Sequence, residues 1–292
     1  MRAAWEVGLQ GEDLVSLIRR YPLITFFALA YALAWWIWIL YAFDITFLGP
    51  IFALGPFLAA IIVTAVTRGT AGLKALLSRM VRWRVGLGWY AAALLLPVAV
   101  YLFAVSLNIL LGARASTAEQ FGSWYLIFPL FAYSLLFPLS GAFGEELGWR
   151  GYALPRAQAR VSALSAALII GVIQTAWHLP LFIIDRSTPP VPLIVGYMGL
   201  GILATWVFNN TRGSVLLTML LHASFNTNAG FFGEMFAGAD LQRMSWLLAA
   251  GWCVAAIVVV ILYGPQHLSR KHRKQEDPEQ QPEVSTASPR VV

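Results

Sequence analysis

Apolar side chains run in long unbroken blocks along this chain, and charge is confined to the gaps between them. Eight blocks read as helical spans, at about 22–43, 46–66, 89–111, 123–144, 161–184, 191–208, 214–232 and 245–263. Each supplies the roughly 20 residues that a helix needs to cross a bilayer core. None contains Asp, Glu, Lys or Arg. Gly55-Pro56, Pro97, Pro138 and Gly171 fall inside these blocks, where membrane helices tolerate them and soluble helices do not. The pattern predicts an all-α, polytopic membrane helix bundle of about eight transmembrane helices.

Composition removes the soluble alternative. Hydrophobic residues make up 59% of the 292 and charged ones 12%, whereas a soluble domain carries roughly a quarter charged. The 12 Trp and 10 Tyr suit the bilayer interface. The net charge of +6 then concerns orientation, and no nucleic-acid partner is expected. A single cysteine, Cys253, excludes an intramolecular disulfide.

With eight spans both termini share a side. Sixteen of the Lys and Arg residues fall there, among them Arg19, Arg20, Arg79, Arg82, Arg84, Arg156, Arg160 and Arg212, against three opposite, Arg114, Arg186 and Arg243. The positive-inside rule makes the basic side, and both termini, cytosolic. Glu6, Glu12 and Asp13 spoil a signal-peptide n-region. Residues 68–86 carry apolar positions at helical spacing among Arg and Lys, and read equally as an amphipathic helix on the cytosolic face or as a plain loop. Residues 1–268 form one transmembrane domain without internal repeat, and 269–292 a polar, aperiodic tail expected to be disordered. The compact loops and the missing targeting peptide point to a bacterial plasma membrane.

Polar groups inside a membrane are expensive and therefore functional candidates. They are few: Glu145, Glu146 and Arg150 where the fourth span runs on, His178 in the fifth, and His222 with Asn226 in the seventh. If the chain turns near Arg160–Ser162, Glu145 and His178 lie about 16 and 17 residues from the turn. At 1.5 Å per residue both then reach roughly the same depth, near 25 Å, and His222 and Asn226 rise roughly 15–20 Å from Arg212. Glu146 and Arg150 are i,i+4 in the favourable order and pair on one helix face. Glu145 turns about 100° away, free to face His178, with Trp149 one turn on to exclude water from it. A carboxyl beside an imidazole is a general acid/base pair, and His222 with Asn226 can donate to an oxyanion. Singly, each group reads as well as an interhelical hydrogen bond, a structural ion pair or a proton relay. Their convergence favours a reaction.

At these residues the sequence resembles the CAAX-protease and bacteriocin-processing (CPBP) family, which includes the type II CAAX prenyl endopeptidases. Its Glu-Glu-x-x-x-Arg motif stands as Glu145, Glu146 and Arg150, and its His-x-x-x-Asn motif as His222 and Asn226. Its Phe-x-x-x-His motif is met at His178, with Gln174 in the Phe position. The resemblance implies an intramembrane endopeptidase acting on a membrane-associated or lipidated peptide. In it, Glu145 and His178 activate water, His222 and Asn226 stabilise the oxyanion, and Glu146 and Arg150 hold the site in shape. Glu145 with two histidines also matches the ligand types of zinc, but no His-Glu-x-x-His is present. No cofactor is therefore assigned, and a metal requirement stays open. The alternatives are a non-catalytic immunity or scaffold protein of the same family and a small proton-coupled transporter. Neither needs the His–Asn pair beside a Glu–His pair.

Overall fold

A computed structural model describes residues 14–43, 51–114, 117, 123–137, 141–184, 189–233 and 235–270. The acidic N-terminal residues 1–13 and the tail beyond 270 lie outside them, as do the loops at 44–50, 118–122 and 185–188. The described chain is all helix: α1 (Leu14–Arg20), α2 (Pro22–Ala42), α3 (Gly55–Leu77), α4 (Leu87–Leu110) and α5 (Ile127–Leu136). Then follow α6 (Gly141–Glu146), a π-helical segment (Leu147–Ala153), α7 (Leu154–Gln158), α8 (Ala163–Trp177), α9 (Leu179–Ile184), α10 (Pro190–Asn210), α11 (Val215–Phe232) and α12 (Gly238–Tyr263). Helix closes every backbone hydrogen bond inside its own segment, which is what a bilayer demands.

Among the described residues five stretches are long and apolar enough to span: Gly55–Leu77, Leu87–Leu110, Trp124–Gln158, Pro190–Asn210 and Gly238–Tyr263. The pair Leu14–Arg20 and Pro22–Ile37, bent by 112°, makes a sixth. The protein is an integral, multi-pass membrane bundle. Length and composition thus support five or six spans among the described residues where eight were expected, because the span expected at 161–184 is broken and that at 214–232 is too polar. α5 stops at Phe137, whose extended backbone precedes Pro138. α8 ends at Trp177, since Pro180 has no N–H to continue the helix. α11, with its His and Asn residues, is not apolar enough to qualify.

Residues 68–86 also divide. Gly69 breaks helical geometry at φ 58, helix resumes to Leu77, and the remainder is turn and extended chain. This remainder is pinned rather than floating: Val215 N–H donates to the Arg79 carbonyl at 2.9 Å, and Ser214 Oγ to the Arg82 carbonyl at 2.7 Å. Arg79 Nη1 donates to the Gly151 carbonyl at 2.8 Å. Burial and the neighbouring Arg82, Arg156 and Arg68 push the Arg79 guanidinium down to about 10, which still leaves it charged at neutral pH. At the same end, Asn209 pairs with Gln158, and the Ala163 and Leu164 N–H groups donate to the Gln266 and Pro265 carbonyls. Four of the loops expected on the basic side therefore meet at one end of the bundle.

Close packing at two glycines seats the Glu-bearing helix. A Cβ on Gly144 would lie 2.4 Å from the Ala53 carbonyl oxygen, and one on Gly148 would lie 2.5 Å from that of Pro56. Small residues one turn apart let helices approach to backbone contact. Gly148→Ala is expected to cost about 1–3 kcal/mol by overpacking, read as a lower unfolding midpoint in detergent. An unchanged midpoint would mean that the approach is looser than it looks.

Two aromatic clusters flank the site. On one side Phe26, Trp149 and Trp177 meet edge-to-face, with ring centroids 5.7 Å and 6.1 Å apart. On the other, Phe225 packs between Tyr101 and Trp252, at 6.2 Å and 5.7 Å.

Candidate active site

The break in α8 is what frees His178. The imidazole-bearing residue caps the helix, and its backbone N–H donates to Thr175 O at 3.0 Å instead of reaching Gln174 O. The ring takes that place: His178 Nδ1 lies 2.8 Å from the Gln174 carbonyl. A carbonyl only accepts, so Nδ1 carries the proton and Nε2 is the atom left for the cavity that His178 lines. Other carbonyls of the last turn are satisfied from α2, with Tyr31 Oη donating to Ile173 O at 2.5 Å and Trp35 Nε1 to Trp177 O at 3.0 Å. A helix end inside a membrane needs such donors.

The Glu-bearing helix places its two carboxylates differently. Glu146 is 1% exposed and Arg150 5%, and Arg150 Nη1 lies 2.9 Å from Glu146 Oε1. The same oxygen accepts from His222 Nδ1 at 2.9 Å. Glu146 therefore orients an imidazole as well as balancing an arginine, and again Nε2 is left for the cavity. Glu145, 4% exposed, accepts on Oε2 from Trp149 Nε1 at 3.3 Å and from Gln174 Nε2 at 3.0 Å. Its Oε1 has no hydrogen-bond partner among the described residues.

These free atoms converge. The Cβ position of Gly141 lies 2.9 Å from Glu145 Oε1, 3.2 Å from His222 Nε2 and 3.4 Å from Asn226 Nδ2. Any side chain there would intrude on all three, so glycine keeps the spot open. Glu145, Glu146, Arg150, His178, His222 and Asn226 all line one cavity of about 380 Å³. All six residues singled out in the sequence are thus brought together. One detail differs from expectation: Glu145 and His178 share the cavity, but the hydrogen bonds of the Glu145 carboxylate run to Trp149 and Gln174.

Glu145, His178 and His222 are the right donor types for zinc, yet among the described residues no three His, Cys, Asp or Glu side chains are grouped closely enough to hold a metal ion.

Residues 124–228, α5 through most of α11, match the family model for type II CAAX prenyl endopeptidase, Rce1-like. The chain is also similar to CAAX prenyl protease 2 of Methanococcus maripaludis, 26% identical over 221 residues, or 72% of this chain and 79% of the relative. Over residues 124–228 the chain is thus similar to the Rce1-like endopeptidases. These similarities indicate an intramembrane protease, and the matched segment contains Glu145, Glu146, Arg150, His178, His222 and Asn226.

Three positions of this site escaped sequence reasoning. Gln174 is a polar residue inside an apolar helix, which was a usable signal, but the motif comparison cast it only as a missing Phe. Tyr197 supplies an aromatic wall, its ring centroid 5.4 Å from that of His178. A tyrosine in an apolar span signals nothing by itself. Gly141 is legible only once its neighbours are placed.

Proposed function

We propose that the chain hydrolyses a peptide bond in a membrane-associated, lipid-modified peptide or protein, using water activated by Glu145 and His178. The observation that carries this is the convergence of Glu145 Oε1, His222 Nε2 and Asn226 Nδ2 beside Gly141 in one cavity. Water held there by Glu145 gives up a proton as its oxygen bonds to the carbonyl carbon. The oxyanion that forms is held by Asn226 Nδ2–H and His222 Nε2–H. Because His222 already donates Nδ1–H to Glu146, donation from Nε2 needs the imidazolium form, and the Glu146 carboxylate is its counter-charge. Collapse breaks the C–N bond, and the amine leaves with the proton taken from water. His178, with Nε2 free, assists the transfer. No step is routed through a metal.

A second cavity of about 360 Å³ supports the lipid-modified substrate. Its lining is largely apolar, including Tyr101, Leu193, Phe232, Met244 and Trp252. Leu181, Tyr197, Phe225 and Asn226 line both cavities, so an apolar chain would lie beside the reacting bond. The matched relatives act on prenylated CAAX sequences by name, and we extend that class to this chain. We also assign the basic loop end, and with it both termini, to the cytosol of a bacterial plasma membrane.

The test is purified protein in lipid nanodiscs, given a farnesylated CAAX peptide and its unmodified twin, with new termini identified by mass spectrometry. Cleavage of the farnesylated peptide at least tenfold faster is expected, and it should survive exhaustive chelation. Equal rates would remove the lipid assignment. Loss of activity on chelation with recovery on zinc would overturn the metal-free chemistry. No product from either peptide, by folded protein, would count against CAAX-type hydrolysis.

A further inference from the structure

Gln174 occupies the centre of the site's hydrogen-bond network, although nothing in the motif pattern requires a glutamine there. Its side-chain oxygen Oε1 accepts from Arg150 Nη1 at 2.9 Å, and its Nε2 donates to Glu145 Oε2 at 3.0 Å. Its backbone carbonyl accepts from His178 Nδ1. One continuous path thus runs from His222 through Glu146, Arg150 and Gln174 to Glu145. The amide orientation is dictated: Arg150 can only donate, and an ionised Glu145 can only accept. Turning the amide over would place two donors together at one end and two acceptors at the other.

We propose that Gln174 is a positioning residue that locks the Glu145 carboxylate, saturating Oε2 so that Oε1 alone is presented to the reacting water. The proposal rests on Glu145 being the general base. Trp149 donates to the same Oε2 but at 3.3 Å and from the carboxylate's own helix. Gln174 comes from α8, so it fixes the carboxylate relative to the helix that carries His178. The phenylalanine of the family motif has neither a donor nor an acceptor in its side chain. This chain therefore holds its base by a polar bridge where the motif places an aromatic ring. Misplacing a reacting group by 1 Å costs on the order of 10²-fold in rate, so the orientation of one carboxylate is enough to matter.

The variants separate the two halves of the bridge. Gln174→Leu removes both side-chain bonds at similar volume. Gln174→Glu keeps an acceptor for Arg150 but offers Glu145 no N–H. Both retain the backbone carbonyl that holds His178. Expected for each is a kcat about 10–100-fold lower, with KM within about threefold, measured on protein whose gel-filtration profile matches wild type. In a Glu145→Gln background the Gln174→Leu loss should vanish, because residues acting as one unit are not additive.

A substrate-free measurement accompanies the kinetics. The carboxylate infrared band of Glu145, assigned as the band lost in Glu145→Gln, should move in both Gln174 variants toward a less hydrogen-bonded carboxylate. An unmoved band overturns the proposal, as does wild-type kcat in both variants or an equal loss in both backgrounds. Wild-type turnover by Glu145→Gln would instead overturn the assignment of the general base, while a shifted band would still report the Gln174 contact.

Discussion

Glu145→Gln lowers kcat by about 10²–10⁴-fold, the range supplied by a positioned general base, while leaving the fold intact. Glutamine at 145 has nearly the same shape and can still accept from Trp149 and Gln174, so the two donors that seat Glu145 keep an acceptor. What it loses is the capacity to take a proton. An interaction made mainly in the transition state lowers kcat and kcat/KM together, so KM should hardly move. The check is initial-rate kinetics on the cleaved peptide, with unfolding midpoint and gel-filtration profile as controls. Turnover within threefold of wild type, by folded protein, would sink the assignment. Gly141→Ala tests the same spot sterically. Its methyl would sit 2.9 Å from Glu145 Oε1 and 3.2 Å from His222 Nε2. Side-chain tips can move aside, so stability should be close to unchanged while activity falls by about 10²-fold.

Arg150→Met is expected to produce the largest loss of stability, about 3–5 kcal/mol, because it leaves the buried Glu146 carboxylate with only the His222 ring against it. Glu146 is 1% exposed, and Arg150 Nη1 also serves Gln174 Oε1, so one substitution takes a donor from two acceptors. The double variant Glu146→Gln/Arg150→Met should recover much of that loss, since it removes the uncompensated charge; His222 Nδ1–H can still donate to a glutamine at 146. Reversible unfolding in mixed micelles measures both. A single-variant cost below about 1 kcal/mol, or no recovery in the double, would contradict a buried ion pair with no access to water. The pair is a requirement of the site's burial rather than a source of net stability: two apolar residues could pack as well, but they could not orient His222.

Some of this was legible in the sequence because it follows from local geometry. The i,i+4 spacing brings Glu146 to Arg150 and Trp149 to Glu145, and both contacts appear within hydrogen-bond reach. The turn near Arg160–Ser162, inferred from two arginines, coincides with the end of α7 at Gln158 and the start of α8 at Ala163. The continuity of spans four and five was misjudged because hydropathy averages over Pro138 and Pro180, whereas helix geometry does not. The break before Pro180 leaves the Gln174 carbonyl to the His178 ring, which lies 2.8 Å from it.

The sequence by itself determined the solvent, because scarce charge and long apolar blocks are properties of composition and order. It also determined which few polar groups must be buried, because a bilayer leaves them nowhere else to go. Only the tertiary structure decided how those groups divide the work. Whether Glu146 reaches His222, or Gln174 reaches Glu145, depends on which faces of three helices meet. Those faces are set by glycine contacts at Gly144 and Gly148 and by a π-helical segment, neither of which periodicity records. Hydrogen bonds are short-ranged and directional, so shared depth nominates partners, but only packing selects them.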